Sequence, residues 1–174
     1  IRRKKMEDLK EKVKNFFLAS EIVFSSKELD SIEYADFGLD NFEVEGLSLI
    51  VYENNDRYCA KEMVLLPNQT CPEHLHPDRN GSPGKQETFR CRKGSVYLIV
   101  EGKSGDVKAK VPNGKESFYT VKHEILLLPG EQYTIMPNTK HWFQAGAEGA
   151  VISEFSSNSD DASDVFTDPN IKRV

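Results

Sequence analysis

His74 and His76 are separated by one residue, so on a strand both imidazoles leave the same face and can converge on one ion. By itself the spacing also suits two surface histidines or two satisfied core donors. Glu87 strengthens the metal reading, because in Lys85-Gln86-Glu87-Thr88-Phe89-Arg90-Cys91 alternation puts Lys85, Glu87, Phe89 and Cys91 on one face. A carboxylate between a lysine and a phenylalanine on an inward face needs a partner. His141 opens the aromatic run His141-Trp142-Phe143-Gln144 after a Pro-Asn turn and offers a fourth ligand. Three imidazoles and one carboxylate suit a first-row divalent ion such as Mn, Fe, Ni or Zn, with positions left for water or two substrate oxygens.

Two further groups can move protons. Lys85, two residues before Glu87, can reach the neighbourhood of the ion and polarise a substrate oxygen; its plain alternative is a structural ion pair with Glu87. Glu154 interrupts the otherwise apolar run Ala150-Val151-Ile152-Ser153-Glu154-Phe155 and is the candidate base; its plain alternative is an edge charge facing water. Trp142 and Phe89 can stack on the apolar face of a ligand, although aromatics at alternating strand positions more often fill a core. Arg90 alternates away from Glu87, Glu73 alternates away from His74, and His123 has no partner in sequence, so all three stay outside the site.

The elements that must hold these groups are strands. From Leu47 onward, β-branched and aromatic runs (Leu47 to Tyr52, Arg57 to Leu66, Val96 to Glu101, Tyr133 to Met136) alternate with turn signals at Asn54-Asn55-Asp56, Pro67-Asn68, Asn80-Gly81, Pro112-Asn113-Gly114 and Pro129-Gly130. That pattern predicts an all-β sandwich or barrel and argues against a parallel α/β sheet. Ahead of it, Met6, Leu9, Val13, Phe16 and Phe17 recur at helical spacing. A second helix is expected after Ser25, with Glu28 closing a capping box, running to about Gly38. Both helices are expected to pack outside the barrel. Ser156 to Asp164 is rich in Ser, Asn and Asp and reads as a loop or lid.

Length and charge narrow the function classes. A chain of 174 residues with 38% apolar content fits one domain, residues 1–174, with helices over 1–40 and the barrel over 41–174. A net charge of −5 gives no cationic field for nucleic acid or an anionic membrane, and the basic run Arg2 to Lys5 reads as a solvated flank. No apolar run approaches the roughly 18 residues that span a bilayer. The three cysteines, Cys59, Cys71 and Cys91, never fall in a C-x-x-C spacing, which points to reduced thiols and a cytoplasmic protein.

Pro72 to Gly94, with His-x-His, then Glu87, six residues and Gly94, resembles the first cupin motif, and Gly130 to Ala145 resembles the second. Asn68 stands where the first motif opens with Gly, and ten residues separate His76 from Glu87 where three or four are common. In the second, Met136, Asn138 and Ala145 take the usual Pro, Gly and Asn slots. The long insertion is narrower in its likeness. Cys71-Pro72-Glu73-His74-Leu75-His76-Pro77, Gly84 to Cys91, Asn138 to Gly146, Glu148-Gly149-Ala150 and Phe166-Thr167-Asp168-Pro169 resemble the D-lyxose ketol-isomerases from about Tyr34 onward. The resemblance implies a manganese-dependent cupin (a double-stranded β-helix), usually a homodimer, that interconverts D-lyxose with D-xylulose and also acts on D-mannose and D-fructose. It makes His74, His76, Glu87 and His141 the metal ligands. Two other enzyme readings stay open, a cupin phosphosugar isomerase using Arg90, Arg92 and Lys93 for the phosphate and a ferrous cupin dioxygenase, together with a non-catalytic sugar-sensing or storage module.

Overall fold

The computed structural model describes residues 2–172. Helix α1 (Arg2–Leu18) has the expected apolar stripe: Leu9, Val13 and Phe17 are buried and pack with Ile50, Val64, Leu66 and Val151 on the outer face of the sheet. Helix α2 (Ser26–Asp30) starts where expected. The Ser25 N–H donates to Glu28 Oε2 at 2.7 Å and the Glu28 N–H donates to Ser25 Oγ at 3.2 Å, a reciprocal cap.

That helix does not run to Gly38. After one turn the chain extends into strand β1 (Glu33–Ala35), which pairs antiparallel with β2 (Leu47–Asn54). The reason is competition for side chains. Ile32 is buried in the cluster beneath α1 and Tyr34 packs on Phe42, while the free edge of β2 takes up the backbone hydrogen bonds a helix would have used. Phe37 and Gly38, at φ 56° and 69°, then turn the chain away.

The remaining strands are β3 (Cys59–Leu65), β4 (Thr70–Leu75), β5 (Glu87–Val100), β6 (His123–Leu127), β7 (Gln132–Ile135), β8 (His141–Ser156) and β9 (Val165–Phe166). Their pairings are all antiparallel. The path β1-β2-β3-β8-β4-β9 is completed by β5, which pairs with β6, β7 and β8. Two long strands organise the whole. β8 gives its first half to β4 and its second half to β3, while β5 gives its first half to β7 and its second to β6. β5 and β8 lie side by side over nearly their full length. This ribbon bends at register shifts between Cys91 and Lys93 and between Gly94 and Val96, curling one sheet into two facing layers. Gly94 makes the bend possible: its φ is +73°, and a Cβ there would lie 1.9 Å from the Gly149 carbonyl oxygen. Met63, Leu65, Phe89, Cys91, Leu98, Phe143 and Ile152 fill the space between the layers. The three cysteines are buried and are not joined in disulfides, and among the described residues no helix is long and apolar enough to cross a membrane.

Candidate metal centre

The curl brings together ligands that three separate stretches of sequence supply. His74, near the end of β4, sits directly opposite His141, the first residue of β8, in the β4–β8 ladder. His76 follows just beyond β4, and Glu87 opens β5 on the inward face it shares with Phe89 and Cys91. All four side chains are buried, and one donor atom from each lies within 4.8 Å of every other. Glu87 Oε1 is 2.9 Å from His141 Nε2 and 3.2 Å from His76 Nε2.

The outer ring nitrogens set the orientation of the inner ones. His74 Nδ1 donates to the Pro72 carbonyl at 2.7 Å, His141 Nδ1 to the Thr139 carbonyl at 2.9 Å and His76 Nδ1 to Asp164 Oδ1 at 2.5 Å. With the proton on Nδ1 in each case, the three Nε2 lone pairs turn inward. His141 Nε2 is buried without a hydrogen-bond partner although a carboxylate oxygen lies beside it. Lone pairs from imidazole and carboxylate facing one another at this distance call for a cation between them, so the donor set fits a divalent metal. Electrostatics agree. Burial, reinforced by His141 and His76, keeps His74 well below the ordinary imidazole pKa and therefore neutral. His76 is pushed down by burial, but Glu87 and Asp164 pull it up to about 9, so with no cation in the cluster its Nε2 carries a proton toward Glu87, in the place a metal would take.

Lys85 and Glu154 join the same cluster. Lys85 Nζ lies 2.6 Å from Glu87 Oε2 and 2.5 Å from Glu154 Oε1, with all three side chains buried. Both plain alternatives are thereby tested: Lys85 does pair with Glu87, yet it bridges to Glu154 as well, and Glu154 faces inward instead of to water. Burial raises the Glu87 pKa, but Lys85 and His76 more than reverse that and hold it well below the usual carboxylate range. The ammonium of Lys85 is disfavoured by burial and held charged by Glu154 and Glu87.

Other residues fall elsewhere. Phe89 lines the cavity and packs edge-on to Phe143 at 4.9 Å. Trp142 lies in a separate cluster against Tyr119 and is core. Arg90 donates to Gln132 on the outer face, Arg92 is exposed, and Lys93 donates to the Ala19 carbonyl, so the cations suited to a phosphate stand outside the cavity. Glu73 is buried and accepts from Thr120 and Thr167 hydroxyls and from the Thr120 and Val121 amides, a structural clamp. His123 Nδ1 bonds the Lys103 carbonyl away from the site.

Sequence reasoning missed Asp164, the partner of His76, and Lys61, which lines the cavity and reaches Ser159 Oγ at 3.1 Å and Asp161 Oδ1 at 3.6 Å. Lys61 had a faint signal, since alternation from Cys59 and Met63 places it on the inward face. Asp164 had none beyond its place in an acidic, serine-rich segment.

Comparison with known proteins accords with this geometry. Residues 27–174 match the family model described as D-lyxose isomerase. A "D-lyxose/D-mannose isomerase" of Thermosediminibacter oceani is 59% identical over 175 residues, covering 100% of this chain and 97% of that protein. A "D-lyxose ketol-isomerase" of Cohnella laeviribosi is 57% identical over 168 residues, covering 96% and 92%. Among solved structures, L-ribose isomerase of Cellulomonas parahominis superposes with a TM-score of 0.81 at 15% identity, covering 97% of this chain and 93% of that one. Its Acinetobacter counterpart, solved with L-ribose, gives 0.80 at 15% over the same shares. These two share the fold, the all-β cupin barrel with helices outside that the sequence predicts. By its sequence and its barrel, the chain belongs to the D-lyxose isomerase family.

Proposed function

We propose that this chain is a metal-dependent aldose–ketose isomerase that interconverts D-lyxose and D-xylulose, with D-mannose and D-fructose as a second pair. Its metal is manganese, held by His74, His76, Glu87 and His141, and the working form is a cytoplasmic homodimer. The observation that carries the reading is the Lys85–Glu154 pair set against the three-histidine, one-glutamate cluster, in a chain more than half identical to named D-lyxose isomerases.

Isomerisation moves a hydrogen from C2 of the open-chain aldose to C1 and exchanges a carbonyl for a hydroxyl between the same carbons. A divalent cation in the cluster supplies Lewis-acid stabilisation of the negative charge that develops on oxygen. Glu154 takes the C2 proton, giving an enediolate, and returns it to C1. The Lys85 ammonium donates to the sugar oxygens, carrying the O2 proton to O1, and holds Glu154 in place between the two transfers. Burial of the pair keeps water from competing for the proton.

The test is ketose formation by metal-stripped protein reloaded with Mn²⁺, comparing D-lyxose, D-mannose and D-mannose 6-phosphate. Conversion of the free sugars alone is expected. Conversion of the phosphate ester alone would mean a phosphosugar isomerase, and oxygen uptake on loading with ferrous iron would mean a dioxygenase.

A further inference from the structure

The cavity beside the cluster has a volume of about 20 Å³, room for one water and not for a sugar. Two of its lining residues, Asp161 and Asp164, belong to the segment between β8 and β9. That segment lies across the site and is fastened by polar bonds. The Ser157 N–H donates to the Gln86 carbonyl and the Gln86 N–H to Ser157 Oγ. Asn54 holds both faces of Ser159, its Nδ2 donating to the Ser159 carbonyl at 2.9 Å and its Oδ1 accepting the Ser159 N–H at 3.0 Å. Asn158 Nδ2 donates to the Asn55 carbonyl, Arg79 pairs with Asp160, and Lys61 reaches Ser159 and Asp161. Among the described residues, the segment's one apolar side chain, Ala162, is not buried. Phe155 and Val165 at its two ends are about half exposed, at 52% and 50%. A segment held by polar contacts opens at low cost, whereas the ladder beneath it does not.

The same segment carries a remote support of the ligand set, through His76. His74 and His141 are each oriented by a carbonyl two residues earlier in the chain, but His76 is oriented by Asp164. We infer that Ser157–Asp164 is a strap whose closure both seals the sugar site and sets His76 for the metal, with Asp164 as the positioning residue that couples the two. Strap opening, which a sugar needs to enter, releases the Nδ1 anchor of His76 and loosens the metal; closure over the sugar restores it. The inference rests on the metal reading above.

The experiment is Mn²⁺ affinity and dissociation rate of the full chain, measured by competition with a chromophoric chelator, for the parent, Asp164→Asn and Asn54→Ala. Asp164→Asn is expected to weaken Mn²⁺ binding about 10–100-fold. Asn54→Ala, which touches no ligand, is expected to release Mn²⁺ several-fold faster because the strap opens more often. A parental rate in Asn54→Ala would overturn the coupling even if Asp164→Asn binds weakly, and parental behaviour in both variants would overturn the role of Asp164 as well. If Asp164→Asn fails to fold, the Asn54→Ala rate alone decides. A parent that binds no Mn²⁺ would sink the metal reading itself, an outcome distinct from the others.

Discussion

Lys85 Nζ stands between two carboxylates, 2.5 Å from Glu154 and 2.6 Å from Glu87, and so joins the ligand set to the candidate base through a single ammonium. Replacing either end of the bridge has separable consequences. Glu154→Gln keeps the shape and removes the base, so kcat is expected to fall about 10²–10⁴-fold while metal content, read by elemental analysis, stays at the parental value.

Lys85→Met is expected to lose activity as well, and also stability. It leaves two buried carboxylates without their cation, a loss of about 3–5 kcal/mol when one partner of a buried pair is removed. Urea unfolding of the metal-free protein measures it; an unchanged midpoint would show that the bridge carries no net stability.

Removal of the metal by a chelator is expected to abolish turnover and lower the melting temperature. A ligand present at a thousand times its Kd contributes about 4 kcal/mol, roughly 8–16 °C for a chain of this size. Calorimetry with and without Mn²⁺ checks it, and a metal-independent melting temperature would contradict a cation held by four buried ligands.

Asp168 accepts from Lys115 at 2.6 Å and from the Asn170 backbone and side-chain amides. Burial raises its pKa, but Lys115 and Asn170 outweigh burial and leave it below the ordinary aspartate value. A depressed folded pKa means stability that is present above the unfolded value near pH 4 and is lost as pH falls through the folded one. Asp168→Asn is therefore expected to be less stable than the parent by about 1.5–3 kcal/mol at pH 7, with the gap closing below pH 4. Urea midpoints across that range measure it.

Gly94→Ala is expected to cost at least about 2 kcal/mol, because the left-handed backbone alone costs 1–2 kcal/mol for a residue with a Cβ and the methyl would also strike the Gly149 carbonyl. Urea unfolding checks this too. An undiminished midpoint would mean that the β5–β8 bend can shift.

The histidine pair, Glu87 and Lys85 were legible because strand alternation tells which side chains share a face, His141 and Glu154 because each stands out in an aromatic or apolar run, and the structure brings all six into one cluster. What alternation cannot tell is where a face points. The Glu33–Ala35 strand was read as helix because Ser25 and Glu28 gave a genuine start signal, while the stop came from the distant edge of β2. Asp164 and Lys61 were missed for a related reason. Each owes its place to a contact across the fold, His76 to Asp164 and Lys61 to Ser159, that no local pattern encodes.

The ribbon of β5 and β8 has one more consequence. In their antiparallel register Glu87 faces the last residue of β8 and His141 faces the last residue of β5. Drawn flat, at about 3.3 Å per residue, the ribbon would hold these two ligands roughly 40 Å apart; in the barrel their side chains touch at 2.9 Å. The ion site is therefore absent from any intermediate in which the ribbon has formed but has not yet doubled over. During refolding, metal uptake should be a late event that reports closure of the barrel, and the cation should slow unfolding far more than it speeds folding.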